Sequence, residues 1–147
     1  MPVERSAGAV IFRRSRAKTY YLLLQYGKGH WDFPKGHVEK EETTEATIRR
    51  EIQEETGIRK IRFIPSFKET IRYSFWDKKQ RVLKFVAYLL AETPQKRVTL
   101  SHEHDGYLWL MYPEAFSQIT FATSRQVLEK ANRFLNDRYH DKRPRCS

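Results

Sequence analysis

Apolar residues recur along this chain with different spacings, and each spacing selects an element. From Val3 to Phe12 small and β-branched residues dominate (Ser6-Ala7-Gly8-Ala9-Val10-Ile11-Phe12), which predicts a strand with close packing at Gly8. Arg13 to Lys18 is a polar turn, and Thr19 to Gln25 is apolar on both faces, as a central strand would be. Two glycines and a proline between Tyr26 and Lys35 mark a loop. The rhythm then turns helical. A helix is expected from Thr43 or Thr44 to Thr56, with Ile48 and Ile52 facing the core and Gly57 as its left-handed stop. Ile58 to Trp76 alternates apolar and polar residues, Asp77 to Gln80 is a turn, and Arg81 to Ala91 returns as the second arm of a hairpin. Ala91 to Val98 reads as a polar linker. An aromatic strand follows near Tyr107-Leu108-Trp109-Leu110, and a short helix opens at Tyr112-Pro113. A final helix runs from Ser124 to Tyr139, with Val127, Leu128, Ala131, Phe134 and Leu135 on its apolar stripe. Strand, strand, helix, strands and helix make an α/β chain.

Composition narrows this picture. At 147 residues, one domain is expected, spanning 1–140, with 141–147 as a basic tail. No apolar run is long enough to span a bilayer, and the first residues lack the apolar core of a signal peptide. Cys146 is the only cysteine, so a disulfide framework or a multi-cysteine metal site is excluded. A cytoplasmic protein is the resulting expectation. The net charge of +10 suits a phosphate-rich partner, although charge alone also fits general nucleic-acid attraction.

One stretch runs against that charge. Residues 36–58 hold seven glutamates and three bases. Glu51, Glu54 and Glu55 are spaced i, i+3 and i+4, which puts them on one helical face. Like charges so placed cost a helix roughly 0.2–0.5 kcal/mol per pair. Oxygen-only ligands suit a hard divalent cation, Mg²⁺ or Mn²⁺. On these three residues alone, a solvated acidic face remains the competing reading.

The wider pattern favours the cation. Gly36, five residues, Glu42; seven residues, Arg50-Glu51-Ile52; one residue, Glu54-Glu55; one residue, Gly57-Ile58: this resembles the signature of the Nudix hydrolases at every defined position. The resemblance implies an α/β/α sandwich with a mixed sheet between helices. It implies metal-dependent hydrolysis of a nucleoside diphosphate linked to another group. Glu51, Glu54 and Glu55 would then be metal ligands with the Gly36 carbonyl, and Arg50 would orient the catalytic glutamate. Bound divalent ions neutralise a phosphate chain and lower the pKa of a bound water. Glu103, in the loop Ser101-His102-Glu103-His104, would add a carboxylate as ligand or general base, and the choice of base between Glu54 and Glu103 stays open.

Two segments carry a finer resemblance. Trp31-x-Phe33-Pro34-Lys35-Gly36-His37 and the run from Leu100 to Trp109 resemble the diadenosine tetraphosphate hydrolases of the family. They imply a substrate cleaved to ATP and AMP, with Lys35 and His37 on its phosphates. Lys84 and Tyr88 are four apart on one strand face. They read as a phosphate contact and an adenine-stacking ring, or else as a surface lysine and a core tyrosine. The alternatives are an RNA 5′-pyrophosphohydrolase, for which nucleic acid would be a partner, a diphosphoinositol polyphosphate phosphohydrolase, and a Nudix-fold protein that binds nucleotide or RNA without cleaving it. Zinc is disfavoured at His102 and His104, where no cysteine or third histidine is near.

Overall fold

The computed structural model of the chain describes residues 1–141, apart from the side chains of 28, 140 and 141. The expected basic tail lies outside the described residues except for Asp141, which ends a helix.

The elements in order are β1 (Val3–Ser15), β2 (Lys18–Tyr26), β3 (His30–Asp32), β4 (Lys35–His37), α1 (Thr44–Thr56), β5 (Arg62–Asp77), β6 (Gln80–Glu92), β7 (His104–Leu110), α2 (Tyr112–Gln118) and α3 (Ala122–Asp141). Strand β1 organises the sheet. One edge pairs parallel with β6 from Val3–Leu83 to Phe12–Glu92. The other edge pairs antiparallel with β4 through residues 6–8 and with β2 through residues 12–15. Strands β5 and β6 form the long hairpin, and β2 also carries β3 and β7. The sheet is therefore mixed.

Because β1 is flanked on both edges and covered on both faces, residues 6–12 are all buried. Successive side chains go to opposite faces. Val10 and Phe12 join Tyr21, Leu23, Val86 and Leu90 under α2 and α3. Ala7, Ala9 and Ile11 join Leu22 and Leu24 under Ile48 and Ile52 of α1. This is an α/β/α sandwich with one helix on one face and two on the other.

Helix α1 has defined ends. The Thr43 hydroxyl accepts from the Ala46 N–H at 3.1 Å, and Gly57, at φ 71°, donates its N–H to the Gln53 carbonyl at 2.9 Å. Where the sequence suggests an unstructured loop from Tyr26 to Lys35, the chain forms a 3-10 turn and two short strands. Strand β3 pairs with the end of β2, so backbone groups that a loop would expose to water are paired instead. No helix of the described residues is long and apolar enough to cross a membrane.

Candidate active site

The acidic face of α1 is organised by one arginine. Arg50 donates from Nε to Glu42 Oε2 at 2.8 Å and from Nη2 to Glu42 Oε1 at 3.0 Å. Its Nη1 reaches Glu51 Oε1 at 2.7 Å and Glu54 Oε2 at 3.4 Å, and Nη2 also donates to the His37 carbonyl at 2.9 Å. Glu42 accepts further bonds from the Glu39 N–H and the Thr47 hydroxyl. The Arg50 bonds first, then the Glu39 N–H, hold the Glu42 acid down at about 2. Arg50 is itself pushed above its ordinary value, chiefly by its bonds to Glu42.

The three helical glutamates have unlike surroundings. Glu54 is mostly exposed. Glu51 is tucked against β4, where a Cβ on Gly36 would collide with its carboxyl group. Glu55 is buried, 4% exposed, and its Oε2 has no hydrogen-bond partner. Burial first, then the neighbouring Glu51 charge, raises the Glu55 acid to about 9. Among the described residues no three carboxylate or imidazole groups converge on one point. The cause is visible: Arg50 draws Glu51 and Glu54 to itself, while Glu55 is turned inward. A hard cation nevertheless fits this set. A buried carboxyl oxygen without a partner costs free energy, and a cation beside Glu51 and Glu55 relieves both that cost and their mutual repulsion. Glu54, mostly exposed and held by one long contact to Arg50 at 3.4 Å, can turn toward it.

Glu103 is brought to the same end of the helix by backbone bonds. Thr99 N–H donates to the Thr56 carbonyl at 2.8 Å and Ser101 N–H to the Glu55 carbonyl at 3.2 Å. The Ser101 hydroxyl then bonds His104 Nδ1 at 3.0 Å. Glu103 is exposed, and its charge adds to the upward pressure on Glu55. His104 is buried against Tyr26, ring centroids 4.5 Å apart, and burial lowers its pKa. It is a packing residue of this corner.

Strand β4 divides the site. Gly36 pairs with Ala7 and faces α1, whereas its neighbour Lys35 pairs with Gly8 and faces the α3 side. There Lys35 Nζ meets Asp32 Oδ2 at 3.3 Å, and Asp32 is buried. The pKa of Lys84 is lowered by burial and then by the charge of Lys35, so the two ammonium groups stand close enough to repel. A cleft of about 380 Å³ opens beside them, lined by Asp32, Lys35, Ile71, Tyr73, Phe121 and Ser124. The His37 side chain is exposed, and the residue's carbonyl is taken by Arg50.

Tyr88 corrects one expectation. It does share a strand face with Lys84, but it is 0% exposed, with its ring edge against Phe33 at 5.6 Å. No base can stack on a ring that has no exposed surface. Tyr73 and Phe121 are instead the partly exposed aromatic residues at the cleft. Tyr73 has a weak signal in the sequence, as a member of the alternating β5 run; Phe121 and Asp32 have none.

A mixed sheet thus lies between helix layers, and the helix on one face carries an acidic cluster bound by one arginine. The sequence matches the NUDIX domain family over residues 2–131, and the chain belongs to the Nudix hydrolases. It is 37% identical over 143 residues to the asymmetrical bis(5′-nucleosyl)-tetraphosphatase of Sus scrofa, covering 89% of this chain and 95% of that protein. It is 32% identical over 126 residues to an RNA pyrophosphohydrolase of Photobacterium profundum, covering 76% and 72%. Among solved structures, a C. elegans Ap4A hydrolase in a binary complex superposes with a TM-score of 0.80 at 34% identity, covering 91% of this chain and 98% of that one.

Two predictions follow from this geometry. Gly36→Ala displaces only the flexible end of Glu51, so hydrolysis should collapse while the thermal midpoint stays near wild type; a matching loss of midpoint would show that Gly36 is merely structural. Glu42 has a folded-state pKa depressed from 4.5 to about 2. Its contribution to stability is therefore full above the ordinary carboxylate value and lost as pH falls through about 2. Glu42→Gln should melt below wild type at neutral pH, with the gap closing on acidification. A gap independent of pH would remove the ion pair from the explanation.

Proposed function

We propose that this chain hydrolyses dinucleoside polyphosphates, diadenosine tetraphosphate foremost, to ATP and AMP, with Mg²⁺ or Mn²⁺ as the cation. The observation that carries the reading is the division made by β4: carboxylates on the Gly36 side and, one residue along the strand, Lys35 lining a cleft of about 380 Å³, with Lys84 on β6 of the same sheet. The tetraphosphatase relatives, matched over nearly their whole length, support the same substrate.

In this reading Tyr73, Ile71 and Phe121 flank one base. Lys35 and Lys84 hold phosphate oxygens, and an anionic chain between them cancels their repulsion. Asp32 keeps Lys35 in place. Glu51, Glu54, Glu55 and the Gly36 carbonyl hold the cation, with Glu103 beside them. The cation supplies charge neutralisation on the phosphates and a more acidic water. Arg50 fixes the Glu51 carboxylate. Water's oxygen bonds to one phosphorus, the bridging oxygen leaves with the other fragment, and Glu54 or Glu103 takes the proton.

The RNA 5′-pyrophosphohydrolase reading is the second, because a relative of that name matches three-quarters of the chain. The test is a substrate panel with Mg²⁺: dinucleoside polyphosphates, triphosphorylated RNA and inositol pyrophosphates. The highest kcat/KM is expected on diadenosine tetraphosphate, with ATP and AMP as products; a preference for RNA ends would reverse the assignment. Lys84→Met should raise KM for that substrate by roughly ten- to a hundredfold, the worth of one charged hydrogen bond. Glu54→Gln should abolish turnover with stability unchanged within about 0.5 kcal/mol, because this side chain is mostly exposed. Full activity in Glu54→Gln would remove the cation site.

A further inference from the structure

The net charge of +10 is not spread evenly. Segments 13–18, 59–62 and 92–97 together carry nine bases and one acid, Glu92. The fold brings all three to one end of the sheet. Glu92 pairs with Phe12 on one neighbouring strand and with Arg62 on the other. Thr93 fastens the corner: its N–H donates to the Phe12 carbonyl at 2.9 Å, and its hydroxyl to the Lys60 carbonyl at 2.6 Å. Gln95 accepts from the Arg59 N–H at 3.4 Å and donates to the Arg97 carbonyl at 2.9 Å. The bases are thus held by backbone bonds rather than scattered on loose loops.

Two cavities open at this end. One, of about 410 Å³, is lined by Arg14, Arg59, Lys60 and Arg62 together with Glu92, whose carboxylate is paired with Arg62. The other, of about 540 Å³, shares Arg14 and adds Asn132, Asn136 and Tyr139. At their junction the Arg14 guanidinium lies over the Tyr139 ring, 3.9 Å from its centroid. On the opposite face of β1, Arg13 lies over Tyr20 and Trp109 at 4.8 and 5.3 Å.

The Arg14–Tyr139 side of this end is remote from the cleft, whereas Arg59 follows Glu55 by only four residues. Gly8 pairs with Lys35 at the cleft, and Arg14 lies six residues further along the same strand. At about 3.3 Å per residue that is roughly 20 Å. Its chemistry points to nucleic acid. Crowded cations repel one another, and a chain of phosphates relieves them. Guanidinium planes backed by aromatic rings offer surfaces on which unpaired bases stack. A bilayer would ask for exposed apolar anchors beside the bases. The exposed large apolar residues of the described chain (Met1, Val3, Tyr73, Trp76, Tyr107, Phe121) belong to other segments.

We propose that this basic end is a second, non-catalytic site that binds single-stranded RNA through its phosphates, with bases stacking at the Arg14–Tyr139 pair. The site needs no 5′-phosphate and is independent of which phosphoanhydride the active site cleaves.

The test is fluorescence anisotropy of the full chain with a 5′-hydroxyl single-stranded RNA of roughly twelve nucleotides. Such an RNA offers the active site nothing to hydrolyse. Wild type should bind with a strong salt dependence. Arg14→Glu/Arg59→Glu/Arg62→Glu should bind at least about tenfold more weakly, with the logarithmic salt slope flatter by about two. Tyr139→Ala should weaken RNA binding several-fold without changing that slope. All these variants should keep the wild-type kcat/KM for diadenosine tetraphosphate. If the triple variant does not fold, Arg59→Gln/Lys60→Gln, at two exposed positions, serves in its place. Undiminished RNA affinity in the charge variants would overturn the proposal. So would loss of RNA binding in Lys35→Ala/Lys84→Ala, which would put the RNA in the cleft. Inorganic polyphosphate that binds as tightly as RNA, with no effect of Tyr139→Ala, would overturn the RNA assignment.

Discussion

A single guanidinium keeps an otherwise self-repelling helix face in order. Arg50 is bound to Glu42 twice, to Glu51, to Glu54 and to the carbonyl of His37. It stitches the helix to the segment that precedes it and to the end of β4. Without it, Glu51 and Glu54 would repel each other one turn apart, and Glu51 would lose its place under Gly36. Glu42, eight residues upstream, is the anchor that keeps Arg50 from being claimed wholly by the two helical glutamates. A flexible lysine could not replace it, because the fork of donors is what reaches several carboxylates at once.

The residual tension is left where it is useful. Glu55 is buried with an oxygen unpartnered, beside a second carboxyl group. A protein selected only for stability would place a packed apolar residue there. On the far side of β4, Lys35 and Lys84 form the mirror case, two cations near enough for the charge of one to lower the pKa of the other, after burial. One strand of three residues thus separates a mainly acidic site, held by Arg50, from a mainly basic one, where Lys35 is paired with Asp32. A phosphate chain carrying divalent cations satisfies both, and this complementarity, more than any single residue, argues for a polyphosphate substrate.

Much of this was legible in the residues, and the exceptions have physical reasons. Thr43, Gly57, Ile48 and Ile52 announce the helix and its buried side because capping and periodicity are local properties. The hairpin around Asp77–Gln80 is read in the same way, even though its tip places Lys78 and Lys79 at positive φ where glycine or asparagine is usual. Tyr88 shows the limit: alternation tells which face a side chain takes but not what lies over it, and Phe33 covers that ring. Lys35 and Gly36 are neighbours in sequence yet serve opposite faces, a consequence of β4 being extended rather than looped. Phe121 joins Tyr73 only through the docking of α3 on the sheet, across 48 residues of chain. The basic end is likewise invisible in any one segment, since three separated runs meet there.

The most direct measurement is anomalous diffraction from crystals soaked in Mn²⁺ with a non-hydrolysable diadenosine tetraphosphate analogue. Manganese peaks are expected among the carboxylates of Glu51, Glu54 and Glu55 and the Gly36 carbonyl, with the phosphate chain rounding β4 and one adenine beside Tyr73 and Phe121. Manganese and phosphates settled away from α1, with the Arg50 bonds and the Glu55 burial undisturbed, would contradict the account.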